Sequence, residues 1–205
     1  SVNLNGSVGY DFHLRNSRLN RENIGLNGGA NVALAICQVG LNAGISRRQS
    51  DLGNIGFVPT AGSVKNAETV QDYGGTLSCG NIRGFSPTAS ISRSIGDNSN
   101  ALRERADYRS TTYTGGLLYQ NPLIGTFNLY FSRRDMDYPN RLLVNGQNDG
   151  HKTDSYGVLF TRDIGTRLKT SINLAETNLK PRNSLTRGSK GLSWNVDLTG
   201  TLTSR

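Results

Sequence analysis

The sequence predicts an all-β fold: an antiparallel up-and-down transmembrane β-barrel of about ten strands, or a segment of a larger barrel. Three observations predict it. Apolar and small polar residues alternate with a period of two in segment after segment, the pleat of a strand rather than the 3.6-residue stripe of a helix. The alternating segments run to about 10 to 13 residues, enough to cross a ~25 Å apolar band at a tilt of about 40°. The connections alternate between very short and long, as in a barrel with short periplasmic turns and long extracellular loops.

The elements follow in chain order. Segment 2–14 places Val2, Leu4, Gly6, Val8, Tyr10, Phe12 and Leu14 on one face, with Asn3, Asn5, Ser7, Gly9, Asp11 and His13 on the other. Segment 23–36 carries Ile24, Leu26, Gly28, Ala30, Val32, Leu34 and Ile36 on its apolar side. Segment 39–48 carries Val39, Leu41, Ala43 and Ile45 there, and a two-residue turn at Cys37 and Gln38 joins the two with parity kept. Across a Gly80 to Gly84 turn, 69–79 offers Tyr73, Gly75, Leu77 and Cys79 to Phe85, Pro87, Ala89 and Ile91 of 85–95. Around Asn121 and Pro122, 108–119 and 123–134 align Tyr113, Leu117 and Tyr119 with Leu123, Phe127, Leu129 and Phe131. Around Asp163 to Gly165, 154–162 and 166–177 align Tyr156, Val158 and Phe160 with Leu168, Ile172 and Leu174. The last segment, 191–203, carries Leu192, Trp194, Val196, Leu198 and Leu202. The long connections are 15–22, 49–68, 96–107, 135–153 and 178–190, and residues 1–205 form a single domain.

Only 35% of the chain is hydrophobic, and no apolar run approaches the ~20 residues that a membrane helix needs. A barrel tolerates this composition because every second residue faces away from lipid. No signal peptide or initiator Met precedes Ser1, as expected of a processed or excised chain, and both ends fall on the periplasmic side. The ending Leu202-Thr203-Ser204-Arg205 lacks the terminal aromatic residue common in bacterial outer-membrane barrels, which favours a fragment of a longer barrel.

The stretch ADYRSTTYT from Ala106 to Thr114, FNLYFSRRDMDYPNR from Phe127 to Arg141, DSYGVLF and the closing GLSWNVDLTGTLTSR resemble a family of outer-membrane β-barrel porins. The likeness covers the C-terminal half, 106–205, and is nearest to the barrels encoded in exopolysaccharide loci. It implies a Gram-negative envelope location and a part in export of a sugar polymer, alongside envelope export machinery. It supplies no catalytic residues.

Arg47, Arg93, Arg109 and Arg133 share the apolar parity at the extracellular ends of their segments. There their planar guanidinium groups suit lipopolysaccharide phosphates, or are solvated loop side chains if the strands end earlier. Asn3, Asn5, Asn27, Asn31, Asn42, Ser86, Thr88, Ser90, Ser92, Asn128, Ser171, Asn173, Asn195 and Thr199 line the polar side. Amides and hydroxyls of this kind hold water or sugar hydroxyls, and most barrel interiors look the same without a dedicated substrate. Arg167 and Lys169 would make the periplasmic mouth positive and favour anionic solutes. Cys37 and Cys79, beside neighbouring periplasmic turns, are expected to form a disulfide in an oxidising compartment.

No CxxC pair or four-ligand set points to zinc or haem, so no metal and no cofactor is expected. The net charge of +8 comes without a recognition helix or stacking-aromatic motif, so nucleic acid is not an expected partner. His13 beside Asp11, and His151 beside Asp154, are the only histidine–carboxylate candidates for catalysis, and without a GxSxG-type nucleophile an enzyme is not expected. YPNR at Tyr138 to Arg141 is a turn followed by an apolar patch, Leu142 to Val144, that folds inward, meets a partner or packs as ordinary loop. The expected function is a bacterial outer-membrane pore or polysaccharide-export conduit for small solutes or a sugar polymer, embedded among outer-membrane lipids including lipopolysaccharide. The alternative is a structural or adhesion barrel with a plugged lumen and functional extracellular loops.

Overall fold

The computed structural model describes residues 1–15, 20–49, 66–80, 84–165 and 167–200. They form one antiparallel sheet of ten strands in the order of the chain. Its members are β1 (Val2–Asp11), β2 (Arg21–Leu34), β3 (Cys37–Gln49), β4 (Ala67–Cys79), β5 (Gly84–Asn98), β6 (Tyr108–Asn121), β7 (Gly125–Leu142), β8 (Asn148–Ile164), β9 (Leu168–Pro181) and β10 (Ser189–Gly200). A single 3₁₀ turn, Glu104–Ala106, sits in the β5–β6 connection.

Parity survives every ladder up to the register shift between Tyr138 and Leu142 at the far end of β7. Val2 faces Ala30, Ala30 faces Leu41, and Leu41 faces Gly75. Gly75 faces Ile91, Ile91 faces Tyr113, and Tyr113 faces Arg133. On the C-terminal side Leu129 faces Val158, Val158 faces Leu174, and Leu174 faces Trp194. A one-residue slip anywhere would send a whole strand's apolar set to the other face, so the shared register fixes one apolar and one polar surface.

The structure corrects several boundaries. Leu34 pairs with Cys37 and Val32 with Val39, so the tight turn is Ala35–Ile36 and not Cys37–Gln38. Moving the turn back two residues preserves parity, and Ala35 takes φ 53°, the left-handed conformation that a two-residue hairpin turn calls for. Phe12 and Leu14 lie beyond β1, which ends at Asp11. After the β1–β2 connection, the ones read as long loops are shorter, because the strands run on past the apolar belt. β7 continues to Leu142 and β8 starts at Asn148, joined by the turn at Val144 and Asn145. Ladder hydrogen bonds need no apolar side chains, so Arg134–Asn140 remains extended although its alternation has ceased. The YPNR stretch is therefore strand, with a register shift between Tyr138 and Leu142. Residues 16–19, 50–65, 81–83, 166 and 201–205, and with them Leu202 and the chain's last residues, lie outside the described residues.

The closed ten-stranded barrel is not what forms. β1 pairs with β2 alone and β10 with β9 alone, so the described sheet is open along both of these edges. Closure requires tilt and stagger to bring the two edges into one further ladder, and no register joins them.

A single layer leaves almost nothing enclosed. Among the described residues Ala175 is the one buried hydrophobic side chain, while Trp194 is 74% and Phe85 67% exposed. The surface area is 14579 Å², against roughly 9400 Å² for a compact monomer of this size. No helix of the described structure is long and apolar enough to cross a membrane.

Candidate functional site

The apolar face is the first functional surface. Toward the short-turn end, Phe85, Tyr119, Phe127 and Phe160 occupy successive strands in one row. Ring centroids lie 4.8 Å apart for Phe85–Tyr119 and 4.7 Å for Phe127–Phe160. Further up, Phe131 and Tyr156 pair at 5.0 Å. Aliphatic Leu117, Leu129, Val158 and Leu174 fill the strip between these rows. Cross-strand aromatic pairs stabilise a sheet, and here the two aromatic levels stand four residues apart on β7, roughly 13 Å along the strand, with the aliphatic strip between them.

Above Phe131 and Tyr156 the same face turns ionic. Arg133 lies across from Asp154 and donates to both carboxylate oxygens, Nε to Oδ1 at 2.7 Å and Nη2 to Oδ2 at 3.3 Å. Two residues further on, Arg182 reaches across two strands to Asp135, Nη2 to Oδ1 at 2.9 Å, and also donates to Asp137. Burial works to lower the Arg182 pKa, but the hydrogen bonds and negative charges of Asp135 and Asp137 prevail and raise it. The Lys152 ammonium stands 3.8 Å from Asp135. Asp135, Asp137 and Lys152 belong to strand extensions that the sequence pattern presented as loop, and Arg182 directly follows β9.

The four arginines singled out from the sequence all carry the parity of the apolar face, and they are not equivalent. Arg47 pairs with Glu22 at 3.2 Å and Arg133 with Asp154, so both are partly neutralised. Arg93 and Arg109 make no ion pair among the described residues; Arg109 faces Asp137, whose carboxylate is taken by Arg182.

The polar face is wired by short side chains. Tyr130 Oη donates to Asn173 Oδ1 at 3.1 Å, Arg134 Nε to Ser110 Oγ at 2.9 Å, and the Thr114 and Ser132 hydroxyls meet at 3.2 Å. Between β1 and β4, Asn3, Asn27, Asn31, Asn42, Asp72 and Thr76 surround a polar hollow of about 420 Å³ floored by Gly29, Gly40 and Gly44. Lys169 points to this face directly across from Asp163, and Arg167 belongs to the β8–β9 turn. Along the polar face Asp11, Glu68, Asp72, Asp149, Asp163 and Asp197 outnumber Arg48, Arg134, Arg141 and Lys169 among the described side chains.

At the upper rim Asp107, 5% exposed, ties three strands together. Its Oδ1 accepts from the Asn98 backbone N–H at 2.7 Å and side-chain amide at 2.9 Å, and its Oδ2 from Asn140 Nδ2 at 2.8 Å. Arg141 lies over the Tyr138 ring at 4.2 Å and donates to the Arg105 carbonyl at 3.1 Å. YPNR is thus a docking strap onto the 3₁₀ turn. An isolated YPNR reads as a turn; the partner that ties it down, Asp107, stands 33 residues before Asn140 and left no local signal.

His151 and Asp154 lie on opposite faces. His151 is on the polar face of β8 while Asp154, three residues on, points to the apolar face and holds Arg133. Odd separation along a strand puts two side chains on opposite surfaces. His13 follows β1 and its backbone N–H donates to Asn20 Oδ1 at 2.7 Å, while Asp11 accepts from Asn23 Nδ2 at 3.3 Å. No cluster of three or more His, Cys, Asp or Glu residues able to hold a metal occurs among the described residues.

Cys37 and Cys79 form the expected disulfide. They face each other at the short-turn ends of β3 and β4, and the Gly80 N–H donates to the Ile36 carbonyl at 2.9 Å beside them.

Fold and surfaces together define an all-β, single-sheet protein with one apolar and one polar face. No protein-family model matches the chain, and neither a curated protein nor a solved structure matches it.

Proposed function

We propose that the chain forms the wall of a bacterial outer-membrane β-barrel that acts as a passive pore or polysaccharide-export conduit, related to the porin family it resembles. The observation that carries this reading is the continuous apolar face, banded by aromatic rows and topped by an ionic rim, on a sheet with no core. In water that face has nothing to pack against, whereas in a bilayer lipid covers it and the ladder satisfies the backbone. Both chain ends belong on the periplasmic side in this reading, and Arg47, Arg93, Arg109 and Arg133 stand at the height of lipopolysaccharide phosphates. The polar face, rich in amides and hydroxyls, is suited to water and to the hydroxyls of a sugar polymer or small solute. With Lys169 facing Asp163, anion selectivity drops out of the proposal.

The test is reconstitution of the full-length protein in planar bilayers. Stable conductance steps support the pore, and folded protein without conductance rejects it. The second reading, a plugged structural or adhesion barrel, is favoured by the bulk of Leu118, Tyr130 and Leu159 on the polar face. About ten strands leave room for little more than side chains, whereas 16 or more leave an aqueous channel.

A further inference from the structure

Across the apolar face of β1 to β5 runs a trough of about 680 Å³. Two adjacent cross-strand rows build it. One passes from Leu4 through Gly28, Ala43 and Tyr73 to Arg93, and the other from Val2 through Ala30, Leu41 and Gly75 to Ile91. Each row crosses four inter-strand steps, roughly 19 Å. Gly28, Ala30, Ala43 and Gly75 keep its middle shallow-walled where the rest of the face carries Leu, Ile, Phe or Tyr. One end is charged: Arg93 lines the trough and, unlike Arg47 and Arg133, makes no ion pair among the described residues.

We propose that this trough holds one membrane lipid, its acyl chain lying along the two rows and its phosphate on the Arg93 guanidinium. The inference rests on the membrane reading above. An apolar channel of acyl-chain length with a single cation at its end is complementary to an amphiphile that is apolar along its length and anionic at its head. A guanidinium presents a planar fork of donors to phosphate oxygens and keeps its charge at every relevant pH. A second copy of the chain fits less well, because burying Arg93 against its own kind would require an anion that the trough does not supply.

The experiment measures the association of spin-labelled phosphatidylglycerol and phosphatidylcholine with the full chain inserted in vesicles. The native protein should retain phosphatidylglycerol in preference. Arg93→Gln should reduce that preference about fivefold, while Arg48→Gln, an equal change of charge on the polar face, should leave it in place. Ala43→Leu, which fills the trough, should release both lipids. Equal retention of the two lipids by the native protein, equal effects of the two arginine variants, or a dimer that Ala43→Leu dissociates would each overturn the proposal. Flotation with the vesicles separates the two readings: protein that fails to insert defeats the membrane reading and the trough together, and inserted protein indifferent to Arg93→Gln defeats the trough alone.

Discussion

Tyr130 and Gly157 face each other on the polar surface, and a Cβ on Gly157 would overlap the Tyr130 ring. The ring lies in the space that glycine leaves and carries its hydroxyl on to Asn173, so a residue that weakens strands elsewhere completes a packing unit here. Tyr108 and Gly96 repeat the arrangement at the β5–β6 ladder. Gly157→Val should therefore destabilise the fold by about 1 to 3 kcal/mol through overpacking, read as a lower urea midpoint in detergent micelles; an unchanged midpoint would show that the ring has room to move. Ala35 gives the opposite case. Its left-handed backbone costs an L-residue roughly 1 to 2 kcal/mol, so Ala35→Gly should raise the same midpoint despite the entropy of glycine.

At the scale of elements, β3 and β4 are joined at one end by the 50–66 connection and at the other by the disulfide. The bridge closes a separation of 42 residues, worth roughly 4 kcal/mol in the chain-entropy account. Cys37→Ser with Cys79→Ser should lower stability by up to that amount while leaving the β-sheet circular dichroism spectrum intact, because the ladder itself does not depend on sulfur. Loss of the sheet signal would make the bridge a requirement for folding. Non-reducing peptide mapping checks the pairing directly. The β7–β8 hairpin shows how an element outlives its hydrophobic pattern: beyond Phe131 and Tyr156 it is held by Arg133–Asp154 and by Arg182 with Asp135 and Asp137.

For the whole molecule the two faces demand different surroundings. Leu174→Arg sets a charge in the middle of the apolar strip and should cost about 2 to 4 kcal/mol of folding free energy in a bilayer, whereas Ser171→Arg on the polar face should cost little. Equal penalties would refute the assignment of faces. Spin labels at Leu34, Leu41, Leu77, Phe127, Phe131, Val158, Ile172 and Trp194 should likewise be relaxed by lipid-soluble oxygen and protected from aqueous reagents. For the pore, Arg167→Gln with Lys169→Gln should leave ion preference nearly unchanged, since Lys169 faces Asp163 and the described side chains of the polar face carry no excess of positive charge. A strong loss of anion preference in single-channel reversal potentials would restore the positive mouth.

The period-two alternation determined the strands, their antiparallel order and the two faces, because parity is a property of the chain alone and each short turn conserves it. It also placed Cys37 and Cys79 at one level. Other features depended on contacts between distant segments. The turn at Ala35–Ile36 was displaced because several two-residue turns keep the same parity, and only the ladder chooses among them. The extension of β7 and β8 was hidden because backbone hydrogen bonds continue where apolar alternation stops. The pairing of Arg133 with Asp154, the isolation of Arg93 and the placing of Lys169 across from Asp163 are decided by cross-strand register, which local pattern does not reveal. Whether the edges β1 and β10 meet is likewise a matter of tilt and stagger summed over the whole sheet, and local pattern carries no record of that sum.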